Sequence, residues 1–325
     1  TNLQDALKHT TGLVAENLNQ GYDVSIYIRG SGIANKKYGT REIMLLKDGI
    51  PLTDPLGYSD LAAIDTLDIE QVEITKGPGS IYSSGTTGGV IQILTKSGFD
   101  DSDNRVTISV GQHGNEMANV TVGTALNDNH FIRVNATKKD MDNTWNAFSK
   151  YDSDNFALKY GYMADDDSTL EIDFNYADVA NWLPQEIDDL ANLNEFKSTG
   201  KVKKEWCTEG LTKEIYKENK SVNVRYIRSL NSSTTLRPRL YYTVEDSLTH
   251  MGGIGHSPDK KIYGADLELN NTHKLFGLKS ELVAGIAYRG SDSKSNTYGF
   301  SGGTPGVVSG APKLSGSRDI LLSLK

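Results

Sequence analysis

The chain has 325 residues and a formal net charge of −8, which argues against a general nucleic-acid binder, whose footprint is a basic face. Only 37% of the residues are hydrophobic, mean hydropathy is −0.45 and no apolar run approaches the ~18 residues of a membrane helix, so helical spanning is excluded. A β-barrel is not, because only alternate residues of a barrel strand face lipid.

Residues 1–12, TNLQDALKHTTG, read as a short helix, with Asn2 as cap, Leu3 and Leu7 on one face and Gly12 at the end. Leu13, Val14 and Ala15 begin a strand that the polar run 17–23 interrupts, and Val24, Ile26 and Ile28 then alternate with polar residues. Residues 43–52, IMLLKDGIPL, supply another strand and the turn Asp48-Gly49. Residues 70–98, EQVEITKGPGSIYSSGTTGGVIQILTKSG, read as two short strands joined by a glycine-rich loop. Val72 and Ile74 alternate with Glu73 and Thr75, while Val90 to Leu94 is apolar enough to be buried on both faces. A phosphate cradle is disfavoured, since Lys76 precedes the glycines and a strand follows them.

From Arg105 the pattern changes to repeated even alternation. Leu170, Ile172, Phe174 and Tyr176 alternate with Glu171, Asp173 and Asn175, and Leu240, Tyr242 and Val244 with Arg239 and Glu245. Connections near 127–129, 164–168, 231–233 and 271–277 are short and mostly polar, whereas those near 141–152, 179–219, 246–260 and 289–318 are expected to be long. Short and long connections in strict alternation are what an outer-membrane barrel requires, and a sandwich gives no reason for them. About ten strands are expected, with Ile172, Phe174 and Tyr176 facing lipid.

The segment from Ile69 to Lys96 resembles the end of the plug domain of TonB-dependent outer-membrane receptors, carried by Glu73, Gly77, Pro78, Gly88 and Gly89 within V-E-I-x-K-G-P-x-S and G-G-V-I-x-I-x-T-K. Ser83 and Gln92 stand where that family usually has Gly and Asn. Ile28-Arg29-Gly30 and Asp48-Gly49 match two further plug motifs, I-R-G and D-G-V-P-L. The resemblance implies a transmembrane antiparallel β-barrel of 22 strands in the full protein, with an α/β plug in its lumen. Residues 1–98 would be the plug and 99–325 the first part of the barrel, the chain being incomplete at both ends. It opens at Thr1 without a leader pattern or a TonB box, so any signal peptide is expected to have been removed.

The resemblance further implies a bacterial outer-membrane importer of a scarce metal chelate, most simply a ferric siderophore, worked by displacement of the plug through the TonB-ExbB-ExbD complex. Cobalamin, haem or another small cofactor is the alternative cargo, and a passive porin or adhesin the rival class. A monomer surrounded by lipid and lipopolysaccharide is expected. Loops 31–42 and 51–60 would rise to the ligand, offering Lys36, Lys37, Tyr38, Arg41 and Tyr58, and three cations within residues 36–41 suit an anionic chelate. The run of plug motifs looks closest to ferric-citrate-like receptors. No catalytic motif, resident cofactor or metal cluster is read from the sequence: Cys207 is the single cysteine, and His250 and His256 flank MGGIG in an expected outer loop, where a surface role is favoured. Trp145, Trp182 and Trp206 are expected in or beside long loops.

Overall fold

Two hydrophobic patterns build two kinds of sheet. The structure, a computed structural model, describes residues 7, 9–19, 23–28, 31–33, 42–52, 61, 64–77, 88–99, 104–142, 149–165, 167–183, 190–199, 213–251, 254–301, 304–308 and 312–324. Leu7 is helical and buried, and its carbonyl accepts from the N–H of Thr10 at 3.0 Å. β1 (Leu13–Asn19), β2 (Asp23–Ile28) and β3 (Ser31–Ile33) form an antiparallel sheet. β1 runs to Asn19 because Glu16 and Asn17 pair with Ser25 and Val24, so the break expected over 17–23 falls between Asn19 and Asp23.

β4 (Ile43–Lys47), β5 (Ile50–Pro51), β6 (Ile69–Lys76) and β7 (Gly89–Thr95) form a mixed sheet in the order β5-β4-β7-β6, with β4 parallel to β7. The two central strands are apolar at consecutive positions because both of their faces are covered. Ile43, Leu45, Ile91 and Ile93 pack with Leu7, Leu13, Ile26 and Ile28, while Met44, Leu46 and Val90 cluster on the opposite face. Gly89 is required where it stands: its φ is 153°, and a Cβ there would drive into the carbonyl oxygen of Thr75 on β6.

The second sheet runs through β8 (Arg105–Gly111), β9 (Asn115–Ala125), β10 (His130–Met141), β11 (Lys150–Asp165), β12 (Ser168–Leu183), β13 (Lys213–Asn231), β14 (Thr234–Met251), β15 (Ile254–Leu275) and β16 (Leu278–Ser301), each antiparallel to the next. β17 (Thr304–Val308) and β18 (Lys313–Leu324) pair with successive stretches of the far edge of β16, so they are two pieces of one strand position. Among the described residues the sheet therefore has ten positions, in line with the expected number, and β8 stays at an open edge.

The upper hairpins depart from expectation. β14 reaches Met251, β15 starts at Ile254 and β16 reaches Ser301, so most of the long connections expected near 246–260 and 289–318 is strand. A ladder of backbone hydrogen bonds needs no apolar side chains, so polar alternation carries it on. β15, with 22 residues, is about twice the ~9–11 a membrane strand requires. The connection 184–212 remains long and carries α1 (Leu190–Thr199).

One phase of this sheet is inward and polar, the other outward and apolar. On β12, Glu171 and Asp173 are 8% and 1% exposed, whereas Ile172 and Phe174 are 36% and 37% exposed. Register carries the inward phase from strand to strand: Arg133 pairs with Lys159, Lys159 with Asp173, Asp173 with Asn223 and Asn223 with Tyr241. Arg133, Lys159 and Tyr241 of this row meet the N-terminal unit.

Candidate functional site at the interface of the two units

The Asp48-Gly49 turn is the first anchor. Both residues have positive φ, 52° and 80°, the conformation of a two-residue hairpin loop and the reason Gly is suited to position 49. Asp48 accepts from the N–H and hydroxyl of Thr95 at 2.8 and 2.6 Å, fastening the turn to the end of β7. From the wall, Lys159 and Arg225 bring their nitrogens to 3.8 Å from its carboxylate. Arg225 also pairs with Glu171 and, at 3.0 Å, with Asp173; Glu171 in turn accepts from the Ser97 hydroxyl and the Gly98 N–H at 2.8 and 3.1 Å. Lys159 donates to the Lys96 carbonyl at 2.6 Å, and Lys47 to Asn175 at 3.0 Å.

Asp65 and Asp68 make the second anchor, on β10. Asp65 accepts from Asn135 at 2.9 Å, from Thr137 at 2.5 Å and from its own segment's Leu67 N–H at 3.1 Å, with Lys139 at 3.4 Å. Asp68 pairs with Arg133 at 2.5 Å, both side chains being almost wholly buried. Apolar contacts among the described residues include Phe99, which meets Phe131 edge-on at 5.4 Å over Gly161, and Ile50, which packs with Tyr241 and Ile262.

Burial pushes the Asp48 carboxyl up, yet Lys159, Arg225, Lys47 and the Thr95 hydroxyl together outweigh it and hold the group below its ordinary 3.8. Burial likewise raises Asp65, and Lys139, Thr137, the Leu67 N–H and Asn135 bring it below that value. Beside both anchors lies a cavity of about 60 Å³, lined by Lys47, Asp65, Asp68, Asn155, Asn175 and Ser221 among others. The Oδ2 atom of Asp68 is buried with no hydrogen-bond partner. The interface is thus held chiefly by charges whose pairing depends on contact between the two units. Such pairs offset their own desolvation while joined and can be rehydrated when parted, so they fix geometry at modest net stabilisation.

Of the motif residues singled out in the sequence, Asp48 and Gly49 form this anchor. Gly88 and Gly89 lead into β7, with the Gly88 carbonyl accepting from the Gly77 N–H at 3.0 Å, and Glu73 is exposed on β6. Arg29, Gly30, Lys36, Lys37, Tyr38, Arg41, Tyr58, Pro78, Trp145 and Trp206 lie outside the described residues. Trp182 sits on β12, edge-on to Tyr216 at 5.8 Å. His250 and His256, expected in a loop, stand on the paired strands β14 and β15, with His256 exposed beside Thr297. Sequence reasoning passed over Asp65, Asp68, Arg133, Lys139, Lys159 and Arg225. The available signal was a charge on the inward phase of several neighbouring strands, which becomes a cluster only once register is known.

Comparison with known proteins places this geometry. Residues 1–90 match the family model of the TonB-dependent Receptor Plug Domain. Among curated proteins, the vitamin B12 transporter BtuB of Vibrio vulnificus is 27% identical over 134 residues, 41% of this chain and 21% of its own length. The catecholate siderophore receptor Fiu of Escherichia coli K12 is 31% identical over 142 residues, 42% of this chain and 17% of its own. Among solved structures, the unliganded ferric citrate transporter FecA superposes with a TM-score of 0.77 at 17% identity, covering 100% of this chain and 50% of its own. Pyoverdine-bound FpvA of P. aeruginosa gives 0.76 at 16% identity, covering 98% and 46%. The fold is that of these plugged barrel receptors, and residues 1–90 are those of a TonB-dependent receptor plug domain. The chain spans about half the length of the solved chains it matches and about a fifth of the curated relatives. That family is one of transport receptors rather than enzymes.

Proposed function

We propose that the chain is the plug and first part of the barrel of a bacterial outer-membrane importer that takes up an anionic metal chelate, most simply a ferric siderophore. In this reading residues 1–98 are the plug and 99–325 belong to the barrel, a single receptor chain lies among lipid and lipopolysaccharide, and the TonB-ExbB-ExbD complex supplies the displacing force. The observation that carries it is the interface itself: a unit with its own apolar core is held to a barrel wall mainly by Asp48, Asp65 and Asp68 in detachable charge pairs, with Glu171 of the wall accepting from Ser97 and Gly98. A passive pore or adhesin has no use for a separately folded unit latched in this way. Names among the relatives support an iron chelate as cargo, namely ferric citrate, pyoverdine and catecholate siderophore.

Lys36, Lys37, Tyr38, Arg41 and Tyr58 are the ligand contacts in this proposal. Sheltered charge-assisted hydrogen bonds contribute roughly 1.5–3 kcal/mol each. Arg41→Ala should therefore weaken binding of the cognate chelate about 10- to 100-fold, the loss shrinking at high salt. Binding of ferric citrate, catecholate and hydroxamate chelates, haem and cobalamin to the full-length receptor and to Arg41→Ala tests this. The likeness to a vitamin B12 transporter favours cobalamin as the second reading. Tight cobalamin binding, unaffected by Arg41→Ala or by salt, would select it and reject the anionic chelate.

A further inference from the structure

The wall cations that hold the plug follow one line down β10 and, from Arg133, continue across the sheet to β13. Lys139 and Arg133 occupy one inward face of β10, six residues apart, hence about 20 Å along the strand. Between them stand Asn135 and Thr137, joined to Asn119 and Thr121 of β9 by side-chain hydrogen bonds of 2.7–2.9 Å. Lys159 is in register with Arg133 on the next strand, and Arg225 lies two strands beyond it, bonded to Asp173, the register partner of Lys159. The Lys139 end adjoins the long connection 142–149, and the Arg133 end the short one at 126–129. With long loops outside and short turns on the periplasmic side, the line descends through the barrel.

All four of these cations face plug carboxylates: Lys139 faces Asp65, Arg133 faces Asp68, and Lys159 and Arg225 both face Asp48. Withdrawing the plug leaves four wall cations in this network against two wall carboxylates, Glu171 and Asp173. The cavity of about 60 Å³, into which the segment carrying Asp65 and Asp68 already opens, lies along the same wall.

We infer that Lys139, Arg133, Lys159 and Arg225, spaced by the amide and hydroxyl groups of β9 and β10, form a cationic ladder for an anionic, carboxylate- or phenolate-bearing solute, and that Asp48, Asp65 and Asp68 occupy its rungs until the plug moves. The ladder rests on the importer reading for its physiological use, but its charge preference does not depend on knowing the cargo. The plug carboxylates keep the rungs compensated in the closed state, where a bare buried cation would be strongly unfavourable. When the plug shifts, its own carboxylates leave and the solute's replace them, so the wall never stands uncompensated.

Two measurements on the full-length receptor decide this. In planar bilayers with a ten-fold KCl gradient, the triple plug variant Asp48→Asn, Asp65→Asn, Asp68→Asn should conduct with anions several-fold more permeant than potassium. Adding Lys139→Gln, Arg133→Gln and Lys159→Gln should remove that preference while leaving conductance. A non-selective or cation-selective current in the triple variant, or none at all, overturns the ladder. In cells, the compensated pair Asp65→Asn with Lys139→Gln should leave surface binding of radiolabelled ferric citrate or a ferric catecholate unchanged and slow energised uptake at least ten-fold; unchanged uptake counts against the ladder. Failure of every chelate to bind the native receptor would reject the importer reading, with the bilayer selectivity still deciding the ladder.

Discussion

The N-terminal unit and the strand wall keep themselves together by different means. The first has a core of its own, in which Leu7, Ile26, Ile28, Ile43, Leu45, Ile91 and Ile93 are each 0–1% exposed. The second is held differently: Ile172, Phe174, Val222 and Leu240 are among the apolar residues on its outward face, Arg133, Lys159, Glu171 and Asp173 are buried on the inward one, and its strands are joined by a ladder of backbone hydrogen bonds. Alternation that in a soluble sheet would put apolar groups inside is here inverted. The wall turns an apolar face outward and meets the plug's charges on the other, so each unit completes the other's hydrogen bonding without merging cores.

The sharpest way to break that contrast is to remove a charge that only the interface compensates. Asp48→Ala takes the plug carboxylate from the buried Lys159, while Arg225 keeps Glu171 and Asp173, and breaking a buried pair in this way costs about 3–5 kcal/mol. Limited proteolysis of the folded receptor should show the plug released at lower denaturant while the barrel resists as before; an unchanged profile contradicts the latch. Acid should act in the same direction. Because Asp48 and Asp65 are held below 3.8 in the folded state, their contribution is complete above that value and is lost as pH falls through their lower folded values. Protection factors of the β4 and β7 amides, which divide out the intrinsic pH dependence of exchange, are expected to be flat from about pH 5 to 7 and to fall only below about pH 4.

On the outer face, Phe174→Arg places a charge in the lipid band and should cost about 2–4 kcal/mol of folding into bilayers. The matched inward change is better made at Ser293 than at Asp173, since Asp173 is buried against Arg225 and an arginine there would meet two cations. Ser293→Arg should be nearly neutral, and equal effects at the two positions would undo the inside-outside assignment. Smaller again is Gly49→Ala, expected to cost about 1–2 kcal/mol for a left-handed backbone, plus displacement of the Arg239 guanidinium that fills the space a Cβ would take. The smallest effect is Lys138→Ala. Its partner Asp154 and the lysine are both more than half exposed, so under about 1 kcal/mol should be lost by urea titration.

Much of the fold was legible because it rests on local periodicity. Val24, Ile26 and Ile28 announced a half-buried strand, the run from Val90 to Leu94 a doubly covered one, and Asp48-Gly49 a tight turn, each decided by residues close in sequence. The alternation of Ile172 and Phe174 with Glu171 and Asp173 separated the two faces of β12 without any knowledge of its neighbours. Strand ends were harder: nothing local in residues 246–260 marks a strand, because their pairing is sustained by the backbone of the facing strand.

The site lay further out of reach. Asp48 meets Arg225 across 177 positions of sequence, and Asp65 meets Lys139 across 74. Which inward cation met which carboxylate depended on register in five successive strands and on where the plug's turns came to rest against them. The sequence by itself determined that strands such as β12 would have one polar and one apolar face, since successive side chains of a strand point to opposite sides. Only the tertiary structure decided that Asp48, Asp65 and Asp68 would be the counter-ions, because a buried charge selects its partner by position in space, and distance along the chain carries no record of it.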